Sequence, residues 1–251
     1  MLETRRQITG KVSLVGHRGA AACAPENTLA SFREALRQGA DIIELDVQLC
    51  ADGQVVVFHD DHLERTTDGH GPLAERTLAE LKALDAGSWF DPRFAGEPIS
   101  TLDEVLAWAR GRVPLFIELK HVARPQSSLD AVVVERILAH EMADQVMIIS
   151  FDHQALYRVK ELAPHLASCA LYRTRVDDPV ALARDIGANA VMPLWQIVTA
   201  EDVASCHAAG LAVQVWGPDL DYPTLIAAGA DCVNADYPAQ VRRDFLEGGN
   251  G

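Results

Sequence analysis

Short apolar runs alternate with stretches of helical spacing along most of the chain. After a first run at 12–16, Leu29, Phe32 and Leu36 recur at the three- and four-residue intervals of a helix that ends at Gly39. The same alternation continues towards the C-terminus. Repeated strand–helix units of this kind build a parallel sheet that helices cover.

The pattern predicts eight strands for this sheet and a helix after most of them. The predicted sheet strands are 12–16, 41–48, 114–119, 145–150, 167–172, 189–192, 211–216 and 231–234. The predicted helices are 28–38, 78–84, 101–110, 128–142, 153–162, 178–186, 200–209, 221–228 and 238–246. In a chain of 251 residues, this pattern favours a closed (β/α)8 TIM barrel that forms a single domain over 1–251.

The alternation breaks down between about 60 and 98. A turn at Asp52-Gly53 and a further strand at 55–58, which delivers His59 at its end, are predicted before this stretch, which holds the turn-rich segment 66–72. A structureless loop of this length is uncommon in a compact domain. We therefore expect an insertion after the second strand, with some structure of its own. We expect residues 1–11 to form a loose leader and 248–251 a frayed tail.

Two acidic residues interrupt the apolar run of the second predicted strand. Glu44 and Asp46 are two positions apart, so a β-strand directs both side chains to one face. Two neighbouring buried carboxylates repel each other and lose hydration, which a cation between them would offset. Oxygen ligands of this type suit Mg²⁺ or Ca²⁺. From the pattern alone, the alternative is a strand with one solvated face.

Several residues capable of chemistry stand at or near the predicted C-terminal ends of strands, where barrel enzymes carry their active sites. They are His17, Glu44 with Asp46, His59, Glu118 with Lys120, and Trp216. Packing explains one buried histidine easily. It explains two histidines at the mouths of neighbouring strands less well, so the coincidence favours a functional site.

Charge and composition narrow the class of partner. The net charge of −14 disfavours general binding to nucleic acid or to anionic membranes. No apolar run approaches the ~20 residues of a membrane span, and the N-terminus lacks the apolar stretch of a secretory signal. We therefore expect a cytoplasmic protein without stable membrane association. The five cysteines are scattered without zinc-like spacing and fit free thiols, with Cys169 and Cys232 as core residues.

A pattern of several motifs extends over nearly the whole chain and is densest over 15–72. Its parts are His17-Arg18-Gly19, Pro25-Glu26-Asn27-Thr28, Gly39-Ala40-Asp41, Glu44-Leu45-Asp46-Val47, His59-Asp60, Arg65-Thr66-Thr67 and Glu118-Leu119-Lys120, with weaker matches at Val215-Trp216 and Asp236-Tyr237-Pro238. In these residues the chain resembles the glycerophosphodiester phosphodiesterase family, in its cytoplasmic bacterial form.

The resemblance implies a barrel enzyme that cleaves glycerophosphodiesters, small-molecule substrates, into glycerol 3-phosphate and an alcohol. It implies that Glu44, Asp46 and Glu118 hold one divalent cation, with Mg²⁺, Ca²⁺ and Mn²⁺ all compatible with carboxylate ligands. It also implies that His17 and His59 are the general acid–base pair. From motif order we assign His17 as the base and His59 as the acid.

The resemblance further implies substrate contacts. Arg18 offers a planar fork that suits phosphate, and Lys120 offers a point charge. Glu26 could contact Arg18 or the ligand, although the neighbouring Asn27 equally suggests a helix N-cap. Trp216 could line the substrate pocket, although an aromatic residue at a strand end is as often a packing residue.

The chain also departs from the family pattern. Gly217-Pro218-Asp219 replaces the usual Thr-Val-Asn at the rim where the alcohol group would lie, and Cys50 replaces a threonine. Two other functions remain in view: a lysophospholipase D-type phosphodiesterase acting on lysophospholipids, and a non-catalytic barrel that binds a phosphate ligand. The alcohol group, the metal, the attacking hydroxyl and the oligomeric state stay open at this point.

Overall fold

Strands and helices alternate along the chain in a computed structural model that describes residues 11–120 and 129–247. The strands are β1 (Ser13–Gly16), β2 (Ile42–Leu49), β3 (Val55–Val57), β4 (Leu115–Leu119), β5 (Val146–Ser150), β6 (Ala167–Tyr172), β7 (Ala190–Pro193), β8 (Ala212–Val215) and β9 (Cys232–Ala235). The α-helices are Leu29–Arg37, Leu78–Lys82, Leu102–Ala109, Leu129–Ala139, His153–Leu162, Pro179–Asp185, Ala200–Ala208, Tyr222–Ala228 and Pro238–Val241. The last of these continues into a π-helical turn, Arg242–Leu246. The predicted leader up to residue 10, the first residue of the helix predicted at 128–142 and the predicted tail lie outside the described residues.

Eight of the strands form a closed parallel barrel. Their order is β1-β2-β4-β5-β6-β7-β8-β9, and β1 pairs with both β2 and β9, which closes the sheet. Val15 illustrates the closure, since it lies opposite Ile42 on one side and Asn234 on the other. The predicted (β/α)8 TIM barrel is confirmed. Within the described ranges, no helix has both the length and the apolar character needed to cross a lipid bilayer.

The run predicted at 55–58 is a strand, but it stands outside the barrel. It is β3, which pairs antiparallel with β2 through a tight turn, so that Val57 lies opposite Val47. Gly53 has a φ of +76° in that turn, in the left-handed region that glycine adopts without steric cost. The hairpin returns the chain to the level of the β2 acids, where the Phe58 N–H donates to the Asp46 carbonyl at 2.9 Å. His59 follows directly and thereby reaches the barrel mouth.

The barrel interior is a packed layer of side chains from alternate strand positions. Its buried members are Val15, Ile42, Phe116, Met147, Ile149, Ala167, Cys169, Leu171, Ala190, Met192, Ala212 and Cys232. Cys169 and Cys232 are fully buried here, as expected for core residues. The intervening aliphatic residues of the strands face outwards and pack against the helices.

The segment after β3 has a small core of its own. Leu63, Leu73 and Leu81 pack there in one buried cluster with Phe58. The helix Leu78–Lys82 begins at a capping box, in which Thr77 and Glu80 bond each other's backbone N–H groups. This local structure explains why the strand–helix alternation stops here in the sequence.

We expect Phe116→Ala to lower the free energy of unfolding by about 3–5 kcal/mol, because it leaves a cavity in the barrel interior. Phe116 is fully buried in the barrel interior. Tyr157→Ala, at a position that is 46% exposed on an outer helix, should change that free energy by no more than about 0.5 kcal/mol. Urea unfolding measures both, and equal losses in the two variants would contradict the packing described here.

Candidate active site

Three carboxylates meet at the C-terminal ends of β2 and β4. Glu44 and Asp46 share the inward face of β2, and the parallel register places Asp46 opposite Glu118 of β4. All three are buried, and one carboxylate oxygen from each lies within 4.8 Å of the others. The cluster predicted from three separate positions is therefore assembled, and it can hold a metal ion.

Burial and the mutual repulsion of the three carboxylates shift their pKa values. Burial and the charges of Asp46 and Glu118 raise the pKa of Glu44 to about 7. Burial also raises the pKa of Glu118, although Lys120 opposes the shift. For Asp46, burial is outweighed by Lys120 and Arg18, so its pKa falls below the ordinary value. Hard oxygen donors with unrelieved negative charge fit a divalent cation such as Mg²⁺ or Ca²⁺.

Both cations expected at the phosphate lie against the cluster. Lys120 Nζ donates to Glu118 Oε1 at 2.6 Å and lies 3.1 Å from Asp46 Oδ1. Arg18 has a φ of +48°, and its backbone N–H donates to Glu44 Oε2 at 2.9 Å. Its Nε lies 3.3 Å from Asp46 Oδ2. The two side chains therefore converge on the cluster from different strands.

Each of the two expected histidines is bonded to a carboxylate through its Nδ1 atom. His17 Nδ1 lies 2.7 Å from Asp236 Oδ1, and His59 Nδ1 lies 2.5 Å from Asp60 Oδ1. Such a bond fixes the orientation and tautomer of the ring and leaves Nε2 for proton exchange. Asp60 is thus placed to orient the His59 ring. The contact of Asp236 with His17 was not foreseen, although Asp236 belongs to the last motif of the pattern.

The pKa values of the two histidines shift in opposite directions. Burial alone would lower the pKa of His17, but the hydrogen bond to Asp236 and the charge of Glu44 outweigh it, so the pKa is raised. Burial lowers the pKa of His59, and Lys120 adds to the effect against the opposing charge of Asp46. The proton therefore stays on His17 to higher pH than on His59. A general base must start without the proton and a general acid with it. The assignment from motif order, with His17 as the base and His59 as the acid, therefore needs the proton on His59 rather than on His17 and stays a prediction.

Glu26 joins the arginine at the cluster to the insertion. Its Oε1 accepts from Arg18 Nη1 at 2.7 Å, so the predicted contact between these two residues is present. The guanidinium of Arg65 also binds Glu26, with Nη1 2.8 Å from Oε2 and Nη2 2.7 Å from Oε1. Arg65 Nη2 donates as well to Asp60 Oδ1 at 2.9 Å. Arg65 thus connects Glu26, which binds Arg18, to Asp60, which binds His59.

The N-cap interpretation of Asn27 is wrong, because Thr28 occupies that position. The Thr28 hydroxyl accepts from the Ser31 N–H, as an N-cap does. Asn27 instead pairs with Asp46 twice: its Nδ2 donates to Asp46 Oδ2 at 2.8 Å, and its Oδ1 accepts from the Asp46 N–H at 3.1 Å. Its φ of +58° is a conformation that asparagine adopts more readily than most residues. This contact spans two distant segments, so spacing alone could not reveal it.

Trp216 lies on a different sector of the mouth, at the end of β8. Its indole Nε1 donates to the Tyr172 carbonyl at 3.3 Å, and its ring meets Phe151 edge to face with centroids 5.2 Å apart. The next residue, Gly217, has a φ of +136°. A Cβ there would lie 2.8 Å from side-chain atoms of Leu194 and Trp195. Glycine at position 217 therefore allows the loop after β7, which contains Leu194 and Trp195, to pack closely against this rim.

The closed barrel and the residues at its mouth define a (β/α)8 barrel with a candidate active site at the C-terminal ends of the strands, the position typical of barrel enzymes. Residues 17–240 match the sequence model of the glycerophosphoryl diester phosphodiesterase family. The match covers most of the chain, and the chain belongs to this family.

Similar proteins agree with this placement. The chain is 36% identical over 242 residues to a glycerophosphodiester phosphodiesterase of Caldanaerobacter subterraneus subsp. tengcongensis, covering 95% of this chain and 100% of the relative. It is 31% identical to a glycerophosphodiester phosphodiesterase of Bacillus subtilis, covering 91% of this chain and 84% of the relative. A phosphodiesterase of Oleispira antarctica, solved in complex with the product sn-glycerol-3-phosphate, superposes with a TM-score of 0.86 at 32% identity, covering 94% of this chain and 97% of that one.

We expect Asn27→Ala to lower the free energy of unfolding by about 1–3 kcal/mol, because the buried Asp46 loses both of its bonds to the amide. Asn27→Gly loses the same bonds but tolerates the left-handed backbone, so its loss should be smaller by about 1 kcal/mol. Chemical unfolding of the two variants separates the hydrogen bonds from the backbone strain. Equal stability of wild type and Asn27→Ala would contradict the pairing with Asp46.

Proposed function

We propose that this protein is a metal-dependent phosphodiesterase that hydrolyses glycerophosphodiesters to glycerol 3-phosphate and an alcohol, with His17 and His59 as its acid–base pair. The observation that carries the proposal is the convergence of three buried carboxylates, two cations and two carboxylate-bound histidines at one barrel mouth. The product-bound structure of the Oleispira antarctica relative supports the choice of glycerol 3-phosphate as product.

Glu44, Asp46 and Glu118 are proposed as the ligands of one divalent cation. The burial of these carboxylates next to one another, which raises the pKa of Glu44 to about 7, supports this assignment. Bound there, Mg²⁺ or Ca²⁺ would supply positive charge against a phosphoryl oxygen, and Mn²⁺ fits the same donors. Carboxylate oxygens do not discriminate strongly among these three ions. The three ligands therefore support a hard divalent cation as the class of metal, and all three ions belong to that class.

Arg18 and Lys120 are proposed to bind the phosphate of the diester. A phosphodiester carries a negative charge that repels an incoming nucleophile, and two fixed cations offset that charge. Arg18 is held in place by Glu26 and by the Glu44 carboxylate, and Lys120 by Glu118 and Asp46. Their positions therefore need little reorganisation when the substrate enters.

The two histidines are proposed to transfer the protons of the reaction. One imidazole accepts the proton of the attacking hydroxyl through Nε2 as the new P–O bond forms. The other donates a proton from Nε2 to the leaving alcohol oxygen as its P–O bond breaks. Asp236 and Asp60 hold the two rings through Nδ1 and favour their charged forms. The attacking hydroxyl is either water or the neighbouring glycerol hydroxyl of the substrate, in which case a cyclic phosphate forms first.

Release of glycerol 3-phosphate from glycerophosphocholine and glycerophosphoethanolamine tests the proposal. We expect activity that a chelator removes and that Mg²⁺ or Ca²⁺ restores. Glu118→Gln should reduce the restored activity by about 100-fold or more, because one charged ligand is lost. The exposed Glu161→Gln is the matched control and should retain wild-type activity.

Activity that survives thorough chelation would overturn the metal assignment of Glu44, Asp46 and Glu118. Calorimetric titration with Mg²⁺ and Ca²⁺ gives a readout that does not depend on turnover. Binding to wild type that Glu118→Gln weakens supports the site, and binding that Glu118→Gln leaves unchanged would place the metal elsewhere.

The roles of the two histidines can be separated by the quality of the leaving group. We expect His59→Ala to slow glycerophosphocholine hydrolysis by about 10²–10⁴-fold but to affect a p-nitrophenyl diester of glycerol 3-phosphate much less, because p-nitrophenolate leaves without a proton. His17→Ala should slow both substrates alike. The reverse pattern would make His17 the acid, in line with its raised pKa.

A further inference from the structure

Three side chains from three strand ends meet on the part of the mouth that lies away from β2. Phe151 follows β5, Arg173 follows β6 and Trp216 follows β8. The rings of Phe151 and Trp216 meet edge to face at an interplanar angle of 80°. The guanidinium carbon of Arg173 lies 4.4 Å from the centroid of the Phe151 ring and 5.9 Å from that of the Trp216 ring. Arg173 is thus stacked on an aromatic pair that itself packs against the barrel interior.

Arg173 is an exposed cation with no carboxylate at ion-pair distance in the two stretches the structure describes. Residues 121–128 contain no Asp or Glu. The contrast with Arg175 is direct, since that guanidinium binds both oxygens of Asp202 and the Ile197 carbonyl. In a chain of net charge −14, a guanidinium at the barrel mouth that has no carboxylate partner among the described residues is a ready partner for an anion.

Stacking determines which part of the guanidinium remains available. With its guanidinium carbon 4.4 Å from the centroid of the Phe151 ring, Arg173 makes a cation–π contact that leaves the N–H donors at the edge of the guanidinium for an anion. That edge matches the two oxygens of a carboxylate or a phosphate monoester in a bidentate contact. The same stacking occupies the ring face against which a quaternary ammonium group would otherwise bind.

We propose that Arg173, stacked on Phe151 and Trp216, is a specificity-determining residue that binds an anionic group on the alcohol portion of the substrate. The inference rests on the proposed function, since it assigns the alcohol side of the same reaction. The substrates it selects are glycerophosphodiesters whose alcohol carries a carboxylate or a second phosphate. Diesters of choline are the class it disfavours.

A second stacked arginine provides the matched control. The guanidinium carbon of Arg112 lies 5.2 Å from the ring centroid of Trp108. Arg112 precedes β4 and therefore lies at the N-terminal end of the barrel, opposite the active-site mouth. Arg112→Gln and Arg173→Gln remove the same charge and the same type of stacking, but only Arg173 stands at the mouth.

The experiment compares kcat/KM for four diesters of glycerol 3-phosphate. Their alcohols are glycerol, which is neutral, choline, which is cationic, 3-hydroxypropionate, which carries a carboxylate, and glycerol phosphate, which carries a second phosphate. In Arg173→Gln, we expect kcat/KM for the anionic diesters to fall relative to the glycerol diester by about 10- to 100-fold, mainly through KM. The choline diester should show the smallest loss, and Arg112→Gln should leave every ratio at its wild-type value. The two anionic diesters distinguish a carboxylate from a phosphate as the preferred group.

Arg173→Lys separates a bidentate contact from general attraction of anions. Lysine keeps the charge but not the planar fork, so it should restore only part of the lost preference. Full restoration by lysine would overturn the bidentate contact, and an equal loss on all four diesters in Arg173→Gln would overturn the specificity role. Failure of the proposed function itself looks different, because wild type would then release no glycerol 3-phosphate from any diester. In that event, calorimetric binding of the anionic diesters to wild type and Arg173→Gln would still decide the role of Arg173.

Discussion

Repulsion among three buried carboxylates is the constraint on which the rest of the mouth depends. Glu44, Asp46 and Glu118 lie together because β2 and β4 pair in a register that puts Asp46 opposite Glu118. Left alone, this concentration of negative charge would oppose folding. The surrounding residues offset it. Lys120 and Arg18 contribute positive charge, and the Asn27 amide bonds both the carboxylate and the backbone N–H of Asp46. A bound divalent cation would offset the remaining negative charge. The same repulsion among the carboxylates therefore lowers the stability of the fold and favours metal binding.

A second layer of contacts holds the residues that surround the cluster. Arg65, from the insertion, bonds Glu26 and Asp60, which in turn hold Arg18 and His59. The insertion interrupts the barrel pattern, yet its packed core anchors the arginine that links these two parts of the site. Side chains held from two directions lose few rotamers when a ligand binds, which favours a site built before the substrate arrives.

Local spacing accounts for much of the fold and part of the site. The two-residue period of a strand places Glu44 and Asp46 on one face, and the glycine after many of the helical stretches marks the repeating units. The turn at Asp52-Gly53 and the strand after it were also predicted from local signals, and the two strands pair as a hairpin. The pattern did not predict that Asn27 turns away from the helix to bond Asp46, because that bond depends on a contact between separate segments. The same holds for Asp236, which is 219 positions from its partner His17. Its motif marked it as part of the family pattern, but only the closed barrel brings it to the imidazole.

The closure of the barrel joins its first and last strands, β1 and β9, next to the candidate active site. β1 lies between β2 and β9, so the strand that carries His17 is fixed on one side by the last strand to be synthesised. The bond from His17 to Asp236 and the bond from the His17 N–H to the Ala235 carbonyl both wait for that strand. A chain still emerging from the ribosome can assemble the carboxylate cluster, but it cannot orient this histidine. Addition of β9 and of Asp236 after it is therefore the final step in orienting His17.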